Sequence, residues 1–425
     1  MVQKSSLGRL VSLWSLLGLG VLAGCGGGLG GESHLVLHED TPTEQEDAIE
    51  PELPGLEVAP PLVLRGTENE RPTPPRAPVL SFQPGFNQVL RTSHSVGSLT
   101  TFRLRIPVGR TGGRLKITFR SGDGTLVLQK ATVAQAGLYG DLASTPVPLT
   151  FLGSPGFTVG ARTRVTSDPV RLPVNFRDEL YVSFEVTGAL SASAIHAFPD
   201  SFYRSGAYSG VTGSFGGAAW ERAIGVATLE VESPTGRTFL AIGDSITEGY
   251  IEPFNDTRNA WPSLAERQMG IPIVNGGVSG QGFYAALQFL DQEVLALSGI
   301  TDCLVLLGTN DLGAVTDAEL QDRMTRLLTR LQPFCRLWVS TLLPKEKANY
   351  GNYEDVKAGR VAFNTWLRTQ TRFQFQLIDL EAVTRQPTNV HMFIDGLDID
   401  GIHPTTEGHR VIAAEVVRVM RSKGL

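Results

Sequence analysis

Apolar and polar positions follow four successive patterns along the chain. A short apolar run over residues 10–22 comes first, preceded by Lys4 and Arg9. From Gly26 to about Pro75 apolar periodicity disappears. From Val79 to Arg237 the period is two. There Leu180, Val182, Phe184 and Val186 alternate with Tyr181, Ser183 and Glu185, the pattern of a strand buried on one face. Leu115, Ile117 and Phe119 alternate likewise, and Ser121-Gly122-Asp123-Gly124 predicts a turn into 125–129, a hairpin. Residues 101–106, 147–152 and 165–174 read as further strands, with no helix-length amphipathic segment among them.

From Thr238 onward the pattern changes. Continuous apolar runs at 239–242, 271–274, 303–307, 337–339 and 375–378 alternate with helical stretches near 260–269, 283–298, 317–332, 354–370 and 405–422. Short buried strands alternating with helices predict a parallel sheet covered on both faces. In such sheets the working residues sit on loops at the carboxyl ends of the strands. The expected organisation is a leader over 1–25, a tether over 26–76, an antiparallel β-sandwich of jelly-roll type over 77–237 and an α/β domain over 238–425.

Composition sharpens this picture in two places. With 425 residues, 41% hydrophobic, three cysteines and a formal charge of −6, the chain can bury a sizeable core. It is no disulfide scaffold, and it lacks the basic balance that nucleic-acid binding requires. The acidity is local: residues 26–60 hold nine Asp and Glu and no Lys or Arg, so the tether is expected to stay extended. The positive leader, its short apolar run and Leu22-Ala23-Gly24-Cys25 make a secretory signal. Those last four residues resemble the lipobox of bacterial lipoproteins. The resemblance implies a lipidated Cys25 and anchoring in the bacterial cell envelope, at the periplasmic face of the outer membrane or on the cell surface.

Each strand end of the C-terminal region carries chemistry. The first runs into Gly243-Asp244-Ser245, the second into a glycine loop ending at Gly280, and the third into Gly308-Thr309-Asn310-Asp311. The last strand is followed by Asp400-Gly401-Ile402-His403-Pro404. A serine hydroxyl becomes a useful nucleophile only beside a base that a third group orients. Asp400 and His403, three residues apart on one loop, can supply base and orienting acid. The Ser245 N–H, the Gly280 N–H and the Asn310 amide can supply donors to an oxyanion.

These four blocks, in this order and spacing, resemble the SGNH (GDSL) hydrolase superfamily over roughly 238–425. The resemblance implies a three-layer, flavodoxin-like parallel sheet of strand order 2-1-3-4-5 and an esterase, lipase, thioesterase or carbohydrate deacetylase. By position it makes Ser245 the nucleophile, His403 and Asp400 the rest of the triad, and Ser245, Gly280 and Asn310 the oxyanion hole, with no cofactor and no metal. Residues 148–170 resemble the β-sandwich that precedes the catalytic domain in secreted SGNH enzymes acting on polysaccharides. The expected reaction is removal of short acyl groups, acetyl foremost, from a carbohydrate or small ester. The alternatives are a broader lipase, arylesterase or thioesterase, a sugar O-acyltransferase, and a glycan-binding lipoprotein without activity.

Other signals read as structure. Asp244 is expected to organise its loop, and His391 and His409 to be structural; Asp398 is a second carboxylate near His403. Gly280-Gln281-Gly282-Phe283-Tyr284-Ala285 fits a loose dinucleotide fingerprint, but no acidic residue ends a following strand. Cys303 and Cys335 could pair in an oxidising periplasm, but adjacent parallel strands give poor disulfide geometry, which favours buried free thiols. Tyr250, Phe254, Arg258, Trp261, Phe283, Tyr284 and His391 fall near the expected rim, with Trp261 assigned to packing.

Overall fold

A computed structural model describes residues 79–251 and 255–425. Cys25, the tether and Phe254 lie outside the described residues. Residues 74–425 form one compact unit.

The first part of this unit is antiparallel. Its strands are β1 (Leu80–Asn87), β2 (Thr92–Pro107), β3 (Gly112–Gln135), β4 (Val147–Pro148), β5 (Phe157–Val159), β6 (Arg164–Thr166), β7 (Val170–Val174), β8 (Glu179–Ala192), β9 (Ser201–Ser205), β10 (Ala218–Trp220) and β11 (Val226–Pro234). They run in the order β1-β11-β3-β8-β2-β9-β10, with β4 to β7 pairing along β3. One apolar core joins them, including Phe102, Phe119, Phe184, Leu126 and Leu229.

Two expectations fail here, each for a physical reason. The chain does not reverse at Ser121-Gly122-Asp123-Gly124. Strand β3 runs straight through, pairing with β11 before this point and with β8 after it. Gly122 serves close approach and makes no turn, because a Cβ there would lie 2.3 Å from Ser93 Oγ. Strand β8 is not half-buried either: Tyr181, Ser183 and Glu185 are buried along with the apolar positions. Its polar face is covered by the segment near 208–215. Arg103 on β2 reaches across it to Ser183 Oγ, Gly140 O and Val211 O, and Glu185 accepts from Ser209 N–H and Oγ.

The second part is a parallel sheet of β12 (Phe239–Gly243), β13 (Ile273–Gly277), β14 (Asp302–Leu306), β15 (Arg336–Ser340) and β16 (Phe375–Ile378), ordered β13-β12-β14-β15-β16. Its helices are α1 (Ser245–Glu248), α2 (Trp261–Met269), α3 (Phe283–Leu290), α4 (Asp317–Leu331), α5 (Tyr353–Thr369), α6 (Leu380–Thr384) and α7 (Thr406–Ser422), and a π-helical turn extends α3. Alternate strand residues feed two separate cores. Leu240, Ile242, Cys303 and Val305 face α3, α4 and α5, whereas Phe239, Ala241, Leu304 and Leu306 face α2 and α7. None of the described helices is long and apolar enough to cross a membrane.

Cys303 and Cys335 form a disulfide, which corrects the expected free thiols. Cys335 lies one residue before β15, in the turn that follows α4, so strand pairing does not bind its backbone. Its Cα comes within 5.8 Å of that of Cys303, inside the range a disulfide spans.

The two parts meet through buried polar contacts. Asn87 Nδ2 donates to Asn275 O at 2.7 Å, and Gln88 Nε2 to Gly277 O at 3.3 Å. Arg177 Nη1 donates to Glu266 Oε2 on α2 at 2.5 Å.

Candidate active site

The sharp exit from β12 puts a serine at the sheet edge. Gly243 has no room for a side chain, since a Cβ would sit 2.1 Å from Thr247 Oγ1. The chain then enters the single turn α1, where Asp244 Oδ1 accepts the Ile246 N–H at 3.0 Å. Ser245 Oγ lies 3.0 Å from His403 Nε2. His403 Nδ1 lies 3.2 Å from both Asp400 oxygens, and Asp400 Oδ1 also accepts the His403 backbone N–H at 2.9 Å. That tight loop needs Gly401, whose φ is +80°.

A second layer holds the imidazole. The Tyr250 ring stacks on His403 with centroids 4.1 Å apart. His409 in turn fixes Tyr250. Its Nδ1 accepts the Trp261 N–H at 3.2 Å, which leaves Nε2 to donate to Tyr250 O at 3.2 Å. Burial pushes His409 down to about 4, so it stays a neutral hydrogen-bonding strut near neutral pH.

Electrostatics set the protonation states. Burial lowers His403 from its ordinary 6.5, against the pull of Asp400, and the Lys347 and Lys345 cations add to the lowering. Near neutral pH the ring is therefore a free base. Burial alone would raise Asp400, but the His403 backbone N–H, the Lys347 ammonium and the His403 ring hold it at about 2. It remains a carboxylate that orients the ring.

The candidate oxyanion donors come from three loops. Gly280 has φ +75° and open space where a side chain would stand. Asn310 Nδ2 donates one hydrogen to Gln281 O at 3.0 Å, leaving its second available. Neither the Ser245 N–H nor the Gly280 N–H meets an acceptor among the described residues.

Of the other rim residues, Trp261 and Phe283 are buried in the two cores, and Arg258 is paired with Asp200 and Asp256. Tyr284 is exposed, and His391 is half-buried. Asp398 accepts the Gly401 N–H and holds the loop. Of the two fingerprint-like glycines only Gly282 serves close packing, for a Cβ there would lie 2.7 Å from Asp311 Oδ2, whereas Gly280 serves a left-handed backbone turn with φ +75°.

Sequence reasoning missed three groups. Lys345 is fully buried with Nζ on Thr309 O at 2.7 Å, and burial pushes it down to about 8. Lys347 Nζ sits 3.0 Å from Asp400 Oδ2. Glu248 is buried among backbone amides and pushed up to about 7 by that burial. Lys345 opens the charged run Lys345-Glu346-Lys347, so the residue pattern marked it as solvated and gave no signal of its burial.

A hydroxyl, an imidazole and a carboxylate in hydrogen-bond reach at the carboxyl edge of a parallel sheet are the parts of a serine-type hydrolase. Comparison adds that residues 241–411 match the model of the GDSL-like Lipase/Acylhydrolase family. The protein is an ester-hydrolase-type enzyme.

Similar solved structures include a lipolytic protein of the G-D-S-L family from Desulfitobacterium hafniense DCB-2. It is 22% identical with a TM-score of 0.37, and the match covers 43% of this chain and 99% of that one. A carbohydrate esterase family 2 enzyme with a carbohydrate-binding domain, from Corynascus thermopiles, is 14% identical with a TM-score of 0.37, over 82% and 100% of the two chains. An acetylxylan esterase from Geobacillus stearothermophilus is 19% identical with a TM-score of 0.34, over 44% and 94%. None of the curated proteins matches the chain.

Proposed function

We propose that the protein is a serine esterase that removes short acyl groups, acetyl foremost, from carbohydrate alcohols. The observation that carries this reading is the Ser245 Oγ to His403 Nε2 contact of 3.0 Å, continued to Asp400 at 3.2 Å. Ser245 attacks the ester carbonyl while His403 takes the hydroxyl proton. The Ser245 N–H, the Gly280 N–H and the second Asn310 hydrogen bind the oxyanion. Collapse expels the sugar alcohol, which takes the proton from His403, and leaves an acyl group on Ser245. Water, deprotonated by His403, then attacks the acyl carbonyl; the acyl–Oγ bond breaks, Ser245 Oγ recovers the proton from His403, and the carboxylic acid leaves.

Two features favour a small acyl group on a polar alcohol. Ser245 is only 5% exposed, a narrow approach that suits a short chain. Asn310, Lys347 and Asn349 give the rim hydroxyl-binding character, with Asn349 Nδ2 3.5 Å from Asn310 Oδ1 and Lys347 about half exposed. The same reading includes lipid attachment at Cys25 and residence in the bacterial cell envelope, with 26–76 as spacer and the strand-rich part a jelly-roll-like accessory domain.

Turnover of p-nitrophenyl acetate, butyrate and palmitate tests it, together with acetate release from a panel of acetylated polysaccharides. Falling rates with chain length and acetate release from a polysaccharide are expected. Preference for palmitate sinks the deacetylase reading, and turnover retained in Ser245→Ala sinks the mechanism.

A further inference from the structure

We propose that the strand-rich region is a working part of the ester-cleaving site, because through Glu248 and the Arg91–Gln281 pair it clamps the loop that carries the Gly280 N–H. This deepens the esterase reading and rests on it. Glu248 ends α1, three residues after Ser245, and is 1% exposed. Its Oε1 accepts the Ala194 N–H at 2.9 Å and the Ile195 N–H at 3.2 Å, both from the segment that follows β8. Its Oε2 accepts the Ser279 N–H at 2.5 Å. One carboxylate thus ties the backbone of the strand-rich region to the residue before Gly280.

The second strut grips the residue after it. Arg91, between β1 and β2, donates from Nη2 to Gln281 Oε1 at 2.8 Å. Gln281 Nε2 donates onward to Gly243 O at 3.0 Å, and Gln281 O accepts from Asn310 Nδ2 at 3.0 Å. The guanidinium of Arg91 is itself held by the buried Glu293. Ser279 and Gln281 are therefore both fixed from the strand-rich side, while the amide between them is left free.

A donor held on both flanks and pointing at no protein acceptor is organised before the reaction begins. Ground-state binding does not need that order; the developing oxyanion does. Glu248 and Gln281 are positioning residues, since neither touches the reacting atoms.

Glu248→Gln keeps the shape but turns one acceptor oxygen into an amide that faces N–H donors. Gln281→Met removes the other strut, so that either variant decides if the other fails to fold. In the full chain, each is read by kcat and KM on p-nitrophenyl acetate, by the inhibition constant of a boronic acid that forms a tetrahedral adduct on serine, and by hydrogen exchange over 278–282. A displaced donor is expected to lower kcat about 10- to 100-fold with KM changed less than about twofold. Boronate inhibition should weaken by the same factor, and exchange over 278–282 should quicken. Unchanged kcat and exchange in the folded variants would overturn the clamp, as would lowered melting temperature with kcat intact. A wild-type chain that cleaves no ester defeats the esterase reading, whereas an active wild type with active variants defeats only the clamp.

Discussion

The strand-rich region and the α/β region bury polar side chains to different ends. In the first, Arg103 fills its donors with Ser183, Gly140 and Val211, and Glu185 is satisfied by Ser209. Such groups hold a segment against a sheet, away from the edge where the parallel strands end. In the second, Ser245, Asn310 and Gly280 each keep an unused donor at the sheet edge. A completed hydrogen-bond set fixes architecture; an incomplete one on a fixed frame is available to a substrate.

The largest effect that would break this contrast lies at Ser245. Replacing it with Ala should cut kcat by about 10⁴-fold or more, as removal of a hydroxyl nucleophile does. Residual ester turnover near one per cent would show that the unused groups are not the reacting ones. Asn310→Ala should lower kcat about 10²- to 10³-fold with little change in KM, the usual cost of losing one oxyanion donor. A loss confined to KM would assign Asn310 to binding.

Arg177→Met sharpens the contrast from the other side. It leaves the buried Glu266 without its cation and should cost about 3 kcal/mol in denaturant unfolding. The kcat of the folded variant should stay within about twofold, since this contact grips α2 and not the Gly280 loop. A tenfold fall in kcat would mean that the whole interface, and not two struts, sets the site.

The smallest effect is on pH. His403 works as a base only when unprotonated, so kcat/KM should rise with pH through its pKa, which lies below 6.5, and level off above it. Lys347 is among the groups that lower this pKa, so Lys347→Met should move the acid limb to higher pH. Lys347 is about half exposed, so screening keeps the displacement small. A displacement to lower pH would show that the lysine acts on the ring chiefly through Asp400.

How much was legible in the sequence follows the same division. The parallel strands declared themselves as short apolar runs, and the run at 375–378 is the observed β16. The blocks around Ser245, Gly280, Asn310 and His403 were legible as candidates because each is a short local turn, and the structure brings Ser245 Oγ within 3.0 Å of His403 Nε2. The strand-rich region misled twice, because both misreadings depended on partners far away in the chain. Gly122 looks like a turn until Ser93 lies against it, and Ser183 looks exposed until Arg103 covers it. Glu248 was missed on similar grounds, since two of its donors, Ala194 and Ile195, belong to backbone some fifty residues earlier. A backbone amide leaves no trace in a residue pattern.

The Cys303–Cys335 bond closes a ring of chain that contains Asn310 and all of α4. Cross-linking a loop of this length restricts the unfolded ensemble by about 3–4 kcal/mol. Chain made under strongly reducing conditions would lack that restriction, and the segment that carries Asn310 would be an open arm of the polypeptide. Oxidation would then act as a maturation step, so preparations from reducing and oxidising hosts should differ in heat resistance before they differ in sequence-encoded chemistry.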